Sequence, residues 1–422
     1  MATTLIESAT ALDIAWVRAQ FPSLSETVNG HPAVYFDGPG GTQVPLKVID
    51  AIRDYLEHYN SNTGGAYATS RRTDAMIAQA RAAMADFLNC GADEVIFGPN
   101  MTTLTFAISR SIGRELNPGD EIVLTWLDHD ANFSPWKALE ERGVVIRVAD
   151  ILEHDCTLDM ADLAGKINER TKAVAVGYAS NAVGTINDVA EVVRLAHRKG
   201  AMVYVDAVHY GPHGAIDVGA LDCDFLACST YKFFGPHMGV LYGKREHLKR
   251  LQPYKVRPLV DQIPFRFEMG TLNHECIAGI AACVEYIADL GRKVNPGVSS
   301  RRDALLAAYS AIHSYERDLM ERLIAGLSKI PKLKLYGISD PAKFDQRCPT
   351  LAVRMEGHSP LELATRLGDL GFFTWDGNYY ALNLTERLGV ESSGGFLRIG
   401  LVHYNTREEV DRLLSALRQI AE

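Results

Sequence analysis

The sequence predicts an α/β fold, with a large doubly wound, mainly parallel sheet domain and a smaller α+β C-terminal domain. Between residues 90 and 245, short apolar runs alternate with longer amphipathic stretches, which is the βα pattern of a sheet covered by helices. Beyond Gly270 the pattern changes to long helical stretches, followed by shorter strand and helix candidates. A chain of 422 residues is long enough for two such domains.

Seven apolar runs are candidate strands of the large sheet: 94–97, 121–125, 144–148, 173–178, 202–205, 224–228 and 239–242. Helices are expected at 47–59, 103–116, 134–141, 189–199, 275–291 and 299–330. A further strand candidate, 34–37, ends in the turn-forming run 38–41. The segment 291–300, which contains Asn295-Pro296-Gly297, resembles a linker. We therefore predict a large domain at 36–290 and a small domain formed by 1–35 and 291–422.

Composition and charge exclude several classes of protein. Hydrophobic residues make up 47% and charged residues 23%, which is typical of a globular chain and not of a disordered one. The net charge of −9 offers no basic surface to nucleic acid or to an anionic membrane. No secretory leader and no membrane-spanning apolar run is evident, and the seven scattered cysteines fit a reducing compartment. We expect a cytoplasmic protein with no membrane or nucleic-acid partner, and no metal, because no zinc-like spacing is evident.

Polar residues follow several candidate strands where each strand ends. Asp206 ends one apolar run and Lys232 follows the next, while Asn181 and His129 follow two others. Ligands of open α/β sheets bind at this edge. A lysine that forms a Schiff base, with an acid that keeps a pyridine nitrogen protonated, is what pyridoxal phosphate requires. The run 100–103 precedes an amphipathic helix and offers hydroxyl and N–H groups to a phosphate.

These motifs belong to an ordered series that extends from 35–37 to 404–406. It includes 59–62, Thr102-Thr103, 128–132, 180–185, 205–206, 222–225, 232–236, 266–271 and 397–400. On this series the chain resembles the class V aminotransferases, which are fold-type I pyridoxal phosphate enzymes, and within them the cysteine desulfurase and selenocysteine lyase branch. The resemblance implies a homodimer with shared active sites, acting on a small amino acid.

The resemblance also implies a role for individual residues. Lys232 corresponds to the Schiff-base lysine, Asp206 to the partner of the pyridine nitrogen, and His129 to the imidazole that stacks on the ring. Asn181 and His209 fall where the family contacts the phenolic oxygen of the cofactor. The expected phosphate contacts are Thr102, Thr103, Ser229, Tyr231 (in place of a histidine usual in desulfurases) and, donated to the neighbouring subunit, Thr271.

Substrate contacts are implied for Arg398, which corresponds to the arginine that binds the α-carboxylate, and for Asn62 and Tyr380. Desulfurases carry a mobile cysteine shortly before that arginine, but here Tyr380 lies nearest to its position and no cysteine follows Cys348. A phenol cannot accept and pass on a sulfane sulfur. We therefore expect a lyase that performs α,β-elimination of the carbon–sulfur type.

Three alternatives remain open at the level of sequence. A true aminotransferase would use Lys232 to move a proton between the α-carbon and the cofactor. An epimerase is a second alternative, because some class V members carry a histidine three residues after the aspartate, as His209 follows Asp206. A non-catalytic scaffold is disfavoured, since it would not need a carboxylate-binding arginine such as Arg398.

Overall fold

A seven-stranded sheet forms the largest element of the computed structural model, which describes residues 12–422. Its strands are β1 (Val95–Gly98), β2 (Glu121–Thr125), β3 (Val145–Ala149), β4 (Thr171–Gly177), β5 (Met202–Asp206), β6 (Phe225–Ser229) and β7 (Gly239–Gly243). Their spatial order is β1-β7-β6-β5-β4-β2-β3, and β7 alone runs antiparallel to the other six. The predicted large, mainly parallel, seven-stranded sheet is confirmed.

Each strand of the large sheet supplies alternate side chains to two different cores. In β5, Val203 and Val205 belong to one apolar cluster, while Tyr204 between them belongs to another. Successive side chains of a strand point to opposite faces of the sheet. Both faces of this sheet are therefore buried, which explains why its strands appear in the sequence as continuous apolar runs.

Helices pack against these faces and fill the connections between strands. The α-helices in residues 12–422 are α1 (Ile14–Ala19), α2 (Leu46–His58), α3 (Ala68–Leu88), α4 (Met101–Gly113), α5 (Ser134–Lys137), α6 (Met160–Lys166), α7 (Val189–His197), α8 (Val218–Leu221), α9 (Arg245–Arg250), α10 (His274–Val294), α11 (Arg301–Leu327), α12 (Pro360–Asp369), α13 (Leu382–Arg387) and α14 (Arg407–Ala421). The predicted helices are present with ends shifted by a few residues, except that 134–141 is divided between α5 and a 3₁₀ helix, Ala138–Arg142. Within the described chain, no helix is both long and apolar enough to cross a membrane.

A second, antiparallel sheet lies in the C-terminal part of the chain. Its strands are β8 (Leu333–Tyr336), β9 (Thr350–Met355), β10 (Trp375–Gly377) and β11 (Phe396–Gly400), in the order β8-β9-β11-β10. The short strand Val34–Tyr35 pairs in parallel with Phe372–Phe373. The N-terminal segment therefore joins the C-terminal layer by backbone pairing.

The helix α11 packs against the cores of both layers. Its first half contributes Ala304 and Ile312 to the core of the large sheet, and its second half contributes Leu319 and Leu323 to the core of the smaller one. This helix belongs to the predicted small domain, 1–35 with 291–422. It nevertheless contributes to the core of the predicted large domain, 36–290. Residues 1–11 lie outside the described residues.

The linker starts later than the sequence predicted, at residue 295 and not at 291. Helix α10 continues through Gly291 to Val294. A Cβ on Gly291 would overlap the carbonyl oxygen of Ala304 in α11. Gly291 therefore serves a close helix–helix contact and does not end the helix.

Candidate active site

A cavity lies at the carboxyl ends of the central strands of the large sheet. The sequence-predicted residues that line it are Thr102, His129, Asn181, Asp206, His209, Ser229, Tyr231 and Lys232. A second cavity of about 450 Å³ shares several of these residues and adds Tyr379, Tyr380 and Arg398 from the C-terminal layer. The site therefore lies between the two layers, with cofactor-type residues on one side and substrate-type residues on the other.

Lys232 lies in a 3₁₀ turn, Thr230–Lys232, directly after β6. Its Nζ donates hydrogen bonds to the carbonyl oxygens of Pro39 and Gly40, the latter at 2.9 Å. Burial and the nearby Arg398 guanidinium together lower the pKa of Lys232 to about 7, against the opposing effects of Asp37 and Asp206. Much of the amine is therefore unprotonated near neutral pH, as a nucleophile or a proton acceptor requires.

Asp206 is the last residue of β5 and is buried at the cavity. Its Oδ1 accepts a hydrogen bond from the N–H of Val208 at 2.9 Å. Burial raises the pKa of Asp206 to about 6, although this hydrogen bond and the charge of Lys232 oppose the shift. A cation placed against the carboxylate would favour its charged form, which is the role that a protonated pyridine nitrogen plays.

His129 follows β2 and has a fixed tautomer. Its Nδ1 accepts the N–H of Ala131 at 2.9 Å, so that the proton of the neutral ring lies on Nε2. Burial, together with the charges of Lys232 and Arg398, lowers the pKa of His129 to about 4. The ring of Tyr380 stacks on the imidazole, with 5.4 Å between centroids. His129 is therefore a neutral hydrogen-bond donor at physiological pH.

Asn181 and His209 present unpaired polar atoms to the same cavity. The Nδ2 of Asn181 donates to the carbonyl oxygen of Tyr379 at 2.9 Å, but its buried Oδ1 has no partner. Both ring nitrogens of His209 are also buried without a partner. Unpaired buried polar groups cost about 1–3 kcal/mol each, so their position at a cavity indicates a ligand that pairs with them.

The N-terminus of α4 forms an anion site beside the cavity. The side chain of Asn100 caps the helix by accepting the N–H of Thr103 at 2.8 Å, while the N–H groups of Met101 and Thr102 have no intrahelical acceptor. A Cβ on Gly239 would overlap the backbone of Asn100, so this glycine lets the helix end approach the sheet. The Thr102 hydroxyl and the positive helix end suit a phosphate.

Arg398, in β11, is held from three sides. Its Nη2 pairs with Asp37 at 3.2 Å, and its Nη1 donates to the carbonyl oxygen of Asn181 at 3.0 Å. The ring of Tyr379 covers the guanidinium at 4.2 Å from the centroid. The buried Nε has no partner. Because only some of its five donors are used, the side chain can still bind a carboxylate.

Three predicted site residues lie away from this cavity. Thr103, next to Thr102 on α4, does not line it, and its N–H belongs to the Asn100 cap. Asn62 and Thr271 line a separate cavity of about 610 Å³. Within one chain, the structure therefore brings neither of them to Lys232.

Sequence reasoning missed Asp37 and the two carbonyl groups that hold Lys232. The run 38–41 was interpreted only as a turn. A Cβ on Gly40 would overlap the Asp37 carboxylate, so glycine at this position makes room for the ion pair with Arg398. An acidic residue placed immediately before a glycine-rich turn is the local signal that could have identified Asp37, although not its partner Arg398.

The residues present fit pyridoxal phosphate. One cavity is surrounded by a buried lysine with a lowered pKa, a buried carboxylate and a helix N-terminus. Asn181 and His209 present unpaired polar atoms to the same cavity. Lys232 would hold the aldehyde carbon, Asp206 the pyridine nitrogen, and Thr102 and Ser229 the phosphate. Each expected cofactor contact therefore has a donor or acceptor of the right chemistry, apart from Thr103 and Thr271.

Comparison with known proteins identifies the family of the chain. The family model described as aminotransferase class-V matches residues 34–413. A cysteine desulfurase of Dickeya dadantii is 35% identical over 421 residues, which cover 96% of each chain. Among solved structures, the apo cysteine desulfurase of Thermococcus onnurineus superimposes with a TM-score of 0.86 at 26% identity, over 100% of this chain and 99% of the other. The cysteine desulfurase CsdA of Escherichia coli gives a TM-score of 0.82 at 26% identity, over 97% and 98%.

The fold, the cavity chemistry and the extent of these matches agree with one another. The large sheet and its smaller partner layer are those of the fold-type I pyridoxal phosphate enzymes that the chain is similar to. Since the family model covers most of the sequence, the chain belongs to the class V aminotransferase family, whose members are enzymes that use pyridoxal phosphate, and to its cysteine desulfurase-like branch.

Proposed function

We propose that the protein is a lyase that performs α,β-elimination of the carbon–sulfur type on a small amino acid. The observation that carries the proposal is the segment of the C-terminal layer that lines the cavity with Lys232, which presents Tyr379 and Tyr380 there and no cysteine. The seven cysteines all lie within residues 12–422, and none of them lines either cavity around Lys232. Because no thiol is present to accept the sulfur, the sulfur must leave the β-carbon of the substrate as a leaving group.

The residues of the site can perform each part of this reaction. Pyridoxal phosphate supplies an electron sink that acidifies the α-hydrogen of the substrate. Lys232, whose amine is partly unprotonated, accepts the α-proton, while Arg398 binds the carboxylate. When the bond between the β-carbon and sulfur breaks, sulfur leaves with the electron pair and takes up a proton. The Nε2–H of His129 and the exposed hydroxyl of Tyr380 are the available donors.

Transamination is the second candidate. It is favoured by the description of the matching family model and by the same lowered pKa of Lys232. It needs the same base but no leaving group on the β-carbon. The two reactions, and epimerisation, therefore differ in their products and not in the residues that start them.

We also propose a homodimer with shared active sites. Thr271 and Asn62 lie in a cavity separate from the one around Lys232, and Phe265 and Met269 in the same segment as Thr271 expose 40% and 43% of their surface. This arrangement supports a role for both polar residues at the site of a second subunit.

The first prediction concerns the products. With L-cysteine, the cofactor-loaded protein should release pyruvate, ammonia and sulfide in equal amounts, because the aminoacrylate formed by elimination hydrolyses. The measurement is product analysis by mass spectrometry, with Lys232→Ala as the inactive control. Lys199→Ala, at an exposed lysine in the turn after α7, is the matched control. Alanine with protein-bound persulfide, a keto acid that keeps its sulfur, or a racemised substrate would each contradict the proposal.

The second prediction concerns pH. The rate at which the cofactor-free protein takes up pyridoxal phosphate should rise as pH increases through about 7, because only the unprotonated amine of Lys232 attacks the aldehyde. Asp37→Asn should move the midpoint lower, since the Asp37 charge raises this pKa. The rate is followed by absorbance of the covalently held cofactor. A midpoint near the ordinary lysine value of 10.5 would show that the environment of Lys232 is assigned incorrectly.

The third prediction concerns the carboxylate contact. Arg398→Gln should raise the KM for every active amino acid about 10- to 100-fold, because charge-assisted hydrogen bonds contribute about 1.5–3 kcal/mol. Arg354→Gln, on the neighbouring strand β9, is the matched control and should leave KM unchanged. Steady-state kinetics on each amino acid and on its amide separates loss of the carboxylate contact from a general loss of activity. Equal losses on acid and amide would mean that Arg398 does not bind the carboxylate.

The fourth prediction concerns assembly. Sedimentation velocity should show a two-chain species, and Thr271→Ala should weaken cofactor binding, although Thr271 lies away from Lys232 in its own chain. Cofactor affinity is measured by fluorescence titration. A monomer that binds the cofactor equally well with and without Thr271 would refute the shared site.

A further inference from the structure

A second cluster of side chains lies beside the cofactor cavity. It consists of His209, His213 and Cys348, each of which offers one ligand atom within 4.8 Å of the other two. Only 3%, 5% and 1% of their respective surfaces are exposed. His209 and His213 belong to the turn after β5, whereas Cys348 precedes β9. The chain fold, and not a local motif, brings them together.

The ligand atoms in this cluster are not satisfied by hydrogen bonds. The Nε2 of His213 and both nitrogens of His209 are buried without a partner. Buried imidazole nitrogens in folded proteins are nearly always paired. The cluster is therefore a buried set of ligand atoms for which hydrogen bonds within the chain supply no partners.

Glu316 fixes the orientation of one of these ligands. Its Oε2 lies 2.7 Å from the Nδ1 of His213, and both side chains are buried. A carboxylate that accepts the Nδ1–H leaves the Nε2 lone pair free, and the Nε2 of His213 has no other partner. This is the arrangement by which proteins orient metal-binding histidines and increase their basicity.

We propose that His209, His213 and Cys348 bind a zinc ion, with Glu316 orienting His213. Two imidazole nitrogens and one thiolate form a ligand set of the borderline-soft kind that zinc prefers. His213, Cys348 and Glu316 also line a cavity of about 260 Å³, from which water can supply a fourth ligand. The thiolate and the Glu316 carboxylate balance the two charges of the ion.

This site has a defined place in the enzyme. His209 lines the cofactor cavity, so a metal on one of its nitrogens leaves the other available to the cofactor. Because Cys348 belongs to the C-terminal layer, the ion also joins that layer to the turn after β5. The inference does not depend on which reaction the enzyme performs.

Elemental analysis of the holoenzyme, purified without a polyhistidine tag, tests the proposal. We expect about one zinc per chain, retained on dialysis and removed by dipicolinate. Reloading with Co²⁺ should give the visible d–d bands of a tetrahedral cobalt–thiolate site, at longer wavelength than the cofactor absorbs. Zinc-loaded protein should melt at a higher temperature than the chelated protein.

Variants assign the ligands. Cys348→Ser and His213→Gln should each lower zinc content at least about tenfold, and Glu316→Gln should weaken zinc affinity about 10- to 100-fold. Cys223→Ser, another buried free thiol, is the matched control and should keep its zinc. If wild-type protein takes up neither Zn²⁺ nor Co²⁺ after reloading, or if zinc content stays the same in both ligand variants, the site is refuted. Because reloading uses the wild-type protein, it tests the zinc site even if a variant does not fold.

Discussion

The candidate site depends on one partly buried ion pair, between Asp37 and Arg398. The two residues come from opposite ends of the chain, and Arg398 also donates to the carbonyl oxygen of Asn181 at the end of β4. Removal of either residue would leave the charge of the other without its partner, which costs stability in a partly buried place. The turn that follows Asp37 supplies the carbonyl groups that hold Lys232. The same interaction therefore positions the cofactor lysine and the carboxylate-binding arginine together.

The charges around the cavity nearly cancel, and this balance determines how each group behaves. The cations are Lys232 and Arg398, the anions are Asp37 and Asp206, and all four are largely removed from solvent. Burial raises the pKa of both carboxyl groups and lowers that of Lys232, while each cation partly restores the charged form of the acids. His129, close to both cations, remains neutral. A bound anion or cation would therefore change the protonation of several residues at once.

Sequence alone predicted the parts of the site that follow from strand polarity. Asp206, Lys232, Asn181 and His129 were identifiable because buried parallel strands are apolar and their carboxyl ends meet at one edge. The pairing of Arg398 with Asp37 spans 361 positions, so no local pattern could reveal it. The sequence predicts a linker that starts at Gly291, because a local rule cannot show that another helix fills the space beside a glycine. The domain boundaries and the roles of individual site residues remain predictions.

The helix α11 has a consequence for how this fold can be divided or recombined. Its first half completes the core of the large sheet and its second half that of the smaller layer. A fragment that ended at the linker near residue 295 would keep Lys232 and Asp206 but expose the apolar surface that Ala304 and Ile312 cover. A functional chimera with a foreign C-terminal layer would therefore have to be joined inside the helix, between Ile312 and Leu319, so that each core keeps its own half.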